Sequence, residues 1–326
     1  ARSVCMQGDN VYIADGKNGL LVVDANKIGN LSQVGRYDTA GKAYGVYVQG
    51  RYAYVADYEN GLVIIDISNP KNPIQVGRYD TAGYARGVYI QGNYAYVADE
   101  YNSLVIIDIS NPNNPIQVGK CGNRYAMEVY IQGSYAYVAD YSNGLVIIDI
   151  SNPKSPIGRY DTDRYVYGVY IQGNYAYVAD ERNGLVIIDI SNPSKPVQIS
   201  RCYTAGYAYN VYTQGSYAYV ADGGNGLVII DISNTSKPFQ IGRYDTAGDA
   251  RGVYIQGNYA YVADDRNGLV IIDISNPKSP IQVGRYDTAG YAYGVYVQGN
   301  YAYVADGDNG LVIIDISTIS TFLQPP

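Results

Sequence analysis

One phrase, Tyr-Val-Ala-Asp-x-x-Asn-Gly-Leu-Val-Ile-Ile-Asp, recurs eight times with little change along this 326-residue chain. Its first Asp stands at Asp15, Asp57, Asp99, Asp140, Asp180, Asp222, Asp264 and Asp306, a spacing of 40 to 42 residues. A unit of that length cannot bury a core alone, so neighbouring units must stack. The repeat therefore overrides the two domains that length alone suggests.

Residues 87 to 128 show what one unit contains. Gly87-Val-Tyr-Ile-Gln-Gly92 is a short β-rich run ending in a Gln-Gly turn, and Asn93-Tyr-Ala-Tyr-Val-Ala-Asp99 follows at once. Leu104-Val-Ile-Ile-Asp-Ile109 is a third run, and Ile116-Gln-Val-Gly-Lys-Cys121 a fourth, after the turn-forming Ser110-Asn-Pro-Asn-Asn-Pro115. Four runs with short connections predict one antiparallel meander per repeat. The third run is apolar at every position from Leu104 to Ile107, where a strand with one buried face would alternate. Both of its faces must be covered, as they are when a small sheet is sandwiched between two others. No segment has a helical period. The expected fold is all-β: an eight-bladed β-propeller of four-stranded antiparallel blades, forming a single domain over residues 1–326.

The end of the chain looks different. After Leu311 to Ile316 it offers only Ser317-Thr-Ile-Ser-Thr-Phe-Leu-Gln-Pro-Pro326, and two prolines prevent a full outer strand. Ala1 to Gly8 reads as the first inner strand, so the N-terminus has none to lend. The last blade is expected to lack a full outer strand and the ring to close by packing alone. That would leave an apolar assembly edge at Leu311, Ile313 and Phe322, a template for self-association.

Gly-Leu-Val-Ile-Ile-Asp-Ile-Ser, preceded by Tyr-Ala-Tyr-Val-Ala-Asp and followed by Asn-Pro-x-x-Pro, resembles the LVIVD-repeat family along essentially the whole chain. The resemblance implies a β-propeller, and a protein secreted or held at a bacterial or archaeal cell surface. It brings no catalytic residues with it.

Composition narrows the chemistry. There is no His, which removes the commonest general base and metal ligand at neutral pH. A net charge of -7 argues against nucleic acid. No apolar run is long enough to span a membrane as a helix. The chain starts at Ala1, in the first repeat, which fits a mature chain whose signal peptide has been removed and equally a fragment of a longer one. Cys5, Cys121 and Cys202 each replace a Tyr of sister repeats and are expected to be unpaired.

If each blade runs outward from the channel, its Gln-Gly and Asn-Pro turns share a bottom face. The links between blades and the loops after Ala-Asp share the top. The bottom turns hardly vary from repeat to repeat; the top does. The expected binding residues are therefore those of the links: Lys42, Tyr44, Tyr84, Arg86, Tyr125, Met127, Tyr165, Tyr167, Tyr207, Tyr209, Asp249, Arg251, Tyr291 and Tyr293. Tyr offers a flat apolar face and a hydroxyl, which suits a protein or a glycan. The Ala-Asp-x-x-Asn-Gly loop lacks the alternate ligands of a calcium-binding loop, so no metal and no cofactor is expected. The second Asp of the phrase, such as Asp66 or Asp149, is expected to be buried and paired with Arg78 or Arg159. The irregular positions, among them Arg86, the stretch from Arg124 to Glu128, Asn210 and the Asp249/Arg251 pair, form no acid–base or nucleophile set, and no catalysis is expected.

Overall fold

A computed structural model describes residues 3–7, 10–14, 20–24, 31–122 and 125–320. Within them lie 31 strands, numbered here in chain order, and one helical turn, Ser317–Ser320. The first eight strands are β1 (Ser3–Gln7), β2 (Asn10–Ala14), β3 (Leu20–Asp24), β4 (Ser32–Tyr37), β5 (Gly45–Gln49), β6 (Tyr52–Ala56), β7 (Leu62–Asp66) and β8 (Ile74–Tyr79). Blade one is the antiparallel sheet β5-β6-β7-β8, and five more blades repeat its order. Their inner strands are β9 (Ala85–Gln91), β13 (Ala126–Gln132), β17 (Val166–Gln172), β21 (Asn210–Gln214) and β25 (Gly252–Gln256).

The ring has seven blades, not the expected eight. Blade seven consists of β29 (Gly294–Gln298), β30 (Tyr301–Ala305), β31 (Leu311–Asp315) and β4, taken from the far end of the chain. The pairing Leu311↔Tyr37, Val312↔Arg36, Ile313↔Gly35 repeats the register Leu62↔Tyr79, Val63↔Arg78, Ile64↔Gly77 of blade one. The expected closure without strand exchange is thus corrected: the outer strand that repeat eight lacks is supplied by repeat one. The remaining strands of repeat one pair only with each other, as the three-stranded sheet β1-β2-β3.

Burial explains the arrangement. The described residues form seven hydrophobic clusters, one between each pair of neighbouring blades. Leu62, Val63, Ile64 and Ile65 are all fully buried because each face of the strand meets a different core. Ile319 of the terminal helical turn and Leu31 close the core between blades six and seven. Six of the seven outer strands carry a bulge, as between Gly77 and Gln75 opposite Ile64 and Ile65, while the short outer strand of blade three, Gly158–Tyr160, pairs without one. A Cβ on Gly77 would collide with the carbonyl of Pro112, so glycine there lets the next blade's Asn-Pro turn approach.

The second Asp of the phrase was expected to be the buried one, and the structure corrects this. The first Asp is the buried one: Asp57, Asp99, Asp222, Asp264 and Asp306 are inaccessible to solvent. Thr39 Oγ1 donates to Asp57 at 2.5 Å, Thr81 to Asp99 at 2.6 Å and Thr246 to Asp264 at 2.5 Å. Asn60 Nδ2 donates to Asp57 at 2.8 Å. Each Thr follows an outer strand and its Asp belongs to the next blade, so the bond ties blade to blade. Burial pushes Asp57, Asp264 and Asp306 up to about 6 despite these donors. The second Asp sits at a strand end and caps a turn. Asp66 accepts from the Ser68 amide at 2.9 Å and pairs with Arg51, while Arg78 donates to the Asn60 carbonyl instead. Asp149 accepts from Ser151, and Arg159 reaches Asp161. Cys121 is buried, Cys202 half-buried, and neither is bridged.

Candidate functional site

Seven inner strands of one pattern, Gly-Val-Tyr-Ile-Gln, set side by side around an axis, stack their side chains in tiers. Alternate residues face the axis. At the bottom lie glutamines: Gln49 Nε2 donates to the Gly92 carbonyl at 3.1 Å, Gln91 to Gly133 at 3.3 Å, and Gln298 to Gly50 at 2.9 Å across the closure.

Next comes an unbroken ring of tyrosines: Tyr47, Tyr89, Tyr130, Tyr170, Tyr212, Tyr254 and Tyr296. Each touches both neighbours, with ring centroids 4.4 to 5.3 Å apart. Burial raises Tyr89, Tyr170 and Tyr296 well above the ordinary phenol range. Tyr254 is pushed up to about 12, chiefly by the same cause.

Above the tyrosines is a tier of glycines, Gly45, Gly87, Gly168, Gly252 and Gly294. Here the next inner strand comes close: a Cβ on Gly45 would stand 2.8 Å from the Arg86 carbonyl. Two blades break the tier, with Glu128 and Asn210. Glu128 Oε2 accepts from the Val169 amide at 3.2 Å and from Asn210 Nδ2 at 2.9 Å. Asn210 Oδ1 accepts from the Val253 amide at 3.3 Å. The pair forms a strut along one wall from blade three to blade six. Burial pushes the Glu128 carboxyl up to about 7, against the pull of its two donors.

The mouth is formed by Tyr44, Arg86, Met127, Tyr167, Tyr209, Arg251 and Tyr293, one from each blade. These seven are half of the expected binding residues. Together with the glycine and tyrosine tiers they enclose a cup of about 350 Å³. Its two arginines are both engaged. Arg86 Nε donates to Glu100 Oε1 at 2.6 Å, and its guanidinium lies 4.1 Å from the centre of the Tyr44 ring. Arg251 Nε reaches Asp265 at 3.3 Å, its Nη2 reaches Asp249 at 3.4 Å, and it lies 4.2 Å over Tyr209.

The other expected residues sit farther out on the same face. Lys42 is exposed. Tyr84 stacks on Tyr58 at 4.2 Å, Tyr165 on Tyr141 at 4.1 Å and nearly parallel, and Tyr101 lies 6.3 Å from Tyr125. Tyr207 and Tyr291 each meet an arginine of a loop, Arg182 and Arg266. The expected assembly edge is not open: Leu311 and Ile313 are fully buried and paired with β4, and Phe322 lies outside the described residues. Glu128 and Asn210 were readable as irregular positions, but no sequence signal places residues 82 apart in contact.

Among the described residues no group of three His, Cys, Asp or Glu is placed to hold a metal ion. No helix among them is long and apolar enough to cross a membrane.

Blades of one repeated pattern around a tiered axial cup define a repeat-built β-propeller. The chain belongs to the LVIVD-repeat family, whose profile matches residues 1–39, 40–81, 82–122, 123–162, 163–204, 205–246, 247–288 and 289–322. Eight repeats are therefore present, in a ring of seven blades. No curated protein matches the sequence. Among solved structures the fold is similar to the computationally designed Ika8 protein, with a TM-score of 0.66 and 7% identity, over 96% of this chain and 95% of that one. It is also similar to BamB from Moraxella catarrhalis, with a TM-score of 0.60 and 14% identity, over 96% and 92%. At such identities the likeness concerns the fold alone.

Proposed function

We propose that this chain is a non-catalytic binding propeller, working outside the cell or at its surface, with the top face as its docking surface for a protein or a glycan. One observation carries the reading: the residues that differ between blades collect on the same face as four of the six exposed tyrosines among the described residues. Tyr101, Tyr125, Tyr165 and Tyr207 are 49%, 48%, 43% and 42% exposed there. The opposite face repeats the Gln-Gly turn in every blade and the Asn-Pro turn in five of the seven. Exposed aromatic rings on rigid loops give large contact area at low entropic cost. The irregular charged residues at the mouth are spent on ion pairs, and none stands beside a nucleophile, which is why the reading is a binding one.

The test is a quadruple Tyr→Ser variant at Tyr101, Tyr125, Tyr165 and Tyr207. It should keep the melting midpoint of the parent and lose binding to cell-envelope material from the source organism. Unchanged binding, or equal loss on altering the bottom Gln91 and Gln214, would remove the top face from consideration. A glycan partner is favoured by the parallel Tyr141–Tyr165 stack, whose outer ring is exposed as a sugar platform. A glycan array distinguishes it from a protein partner.

A further inference from the structure

We propose that the cup beneath the mouth is a site for a small protonated amine, with Glu128 as its counter-ion. The site lies deeper than the docking face and stands whether or not that face binds a macromolecule.

The first observation is the broken symmetry. Five blades carry glycine at this level because the neighbouring strand is close, and blade three carries a carboxylate. The second is how Glu128 is held. Both of its hydrogen bonds, from the Val169 amide and Asn210 Nδ2, fall on Oε2. Among the described residues no donor meets Oε1. Asn210 is itself fixed by the Val253 amide, so the carboxylate is oriented from behind while one oxygen is left to the cavity. A strut with only a structural task would have no need to be ionisable, since Gln or Asn could accept the same amides.

The third observation is the rest of the lining. The two cations of the mouth are neutralised by Glu100 and by Asp249 and Asp265, and no Lys lines the cup. What remains, beside Met127, Asn210 and a tier of valines, is tyrosine rings, tyrosine hydroxyls and glycine backbone. Such a surface attracts a cation through the negative ring faces and offers oxygen acceptors to its N–H groups. An anion would meet Glu128 directly. A neutral apolar guest would leave Oε1 of Glu128 without a donor. A cavity of about 350 Å³ limits the guest to a small molecule or one side chain.

The experiment is calorimetric titration of the whole chain with n-butylammonium, and with butan-1-ol as its neutral isostere. Two variants are compared with the parent. Glu128→Gly restores the residue of five sister blades, and Glu128→Gln keeps the shape and removes the charge. The parent should bind butylammonium at least tenfold more tightly than butanol, and both variants should lose at least tenfold for the ammonium while treating butanol as before. Equal binding of the two probes by the parent, or a Glu128→Gln protein that binds the ammonium as well as the parent, overturns the proposal. So does a pair of variants that differ from the parent in melting midpoint alone.

Discussion

Repeat one and repeat eight carry the same third-strand signal and meet different fates. Leu20-Leu-Val-Val-Asp24 and Leu311-Val-Ile-Ile-Asp315 are near equivalents, and both pair with a second strand in the same register. Yet repeat eight builds a blade, while repeat one is divided: β4 completes that blade and β1–β3 form a sheet of their own. The difference lies in the inner strand. Repeat eight has Gly294 and Tyr296 where repeat one has Ser3 and Cys5, and Cys5↔Tyr12 is the register counterpart of Tyr296↔Tyr303. The channel is built on glycines that admit a neighbour and tyrosines that each touch two others. The apolar third strand makes a blade; the inner strand decides whether it joins the ring.

The largest test of that contrast is truncation. Deleting residues 1–38 removes β4, strips blade seven of its outer strand and should lower the thermal midpoint by roughly 10 °C or more. Deleting residues 1–30 keeps β4 and should leave the midpoint of the ring unchanged. Equal damage from the two deletions would mean that β1–β3 belong to the ring after all. Next in size, Ile313→Ala should cost about 2–5 kcal/mol in urea unfolding, as much as Ile64→Ala inside blade one, because both residues are fully buried between two cores. A markedly cheaper loss at Ile313 would show an open seam. Gly35→Val should cost about 1–3 kcal/mol, since a side chain there meets the Pro70 carbonyl of blade one, and Gly77→Val should match it.

The smallest effect is in pH. A carboxyl raised by folding binds its proton more tightly in the folded state, so the folded state loses stability as pH rises from the unfolded value to the folded one. Asp57, Asp264 and Asp306, pushed up to about 6, and Glu128, pushed up to about 7, all act in this direction. Asp66 is lowered to about 2 by Arg51 and Ser68, and its contribution is lost as pH falls below its unfolded value. The midpoint should therefore be highest at about pH 4 to 5 and fall by a few degrees toward pH 8. Asp57→Asn at the closure and Asp264→Asn at an ordinary junction should flatten that slope equally. An unequal response would mark the closure as a different kind of junction.

Much of this was legible in one chain. Alternation, turn residues and the apolar third run gave four strands per repeat, their direction and the inner strand at Gly87 to Gln91. Seven of the link residues, among them Tyr44, Arg86 and Arg251, do meet at one mouth. The blade number was not legible, because every fourth strand fits every third strand: Gln33-Val-Gly-Arg-Tyr37 and Gln75-Val-Gly-Arg-Tyr79 are identical. The buried carboxylate was assigned to the wrong Asp because Asp66 is contiguous with an apolar run. Asp57 is buried by a threonine 18 residues earlier, across a blade boundary. Glu128 and Asn210 meet only because the ring curves.

The borrowed outer strand also sets an order of events. β4 is made seven repeats before its ring partner β31. Eight residues before β4 ends β3, the same interval that separates β7 from β8 in their hairpin. Throughout synthesis β4 therefore has a local partner at hand, while its ring partner does not yet exist. Closing the ring requires that any early hairpin with β3 come apart, a long-range exchange that is slow compared with forming each blade. Until it happens, the strand edges that the finished ring covers stay open to other chains, so the last step of folding is also the one most exposed to error.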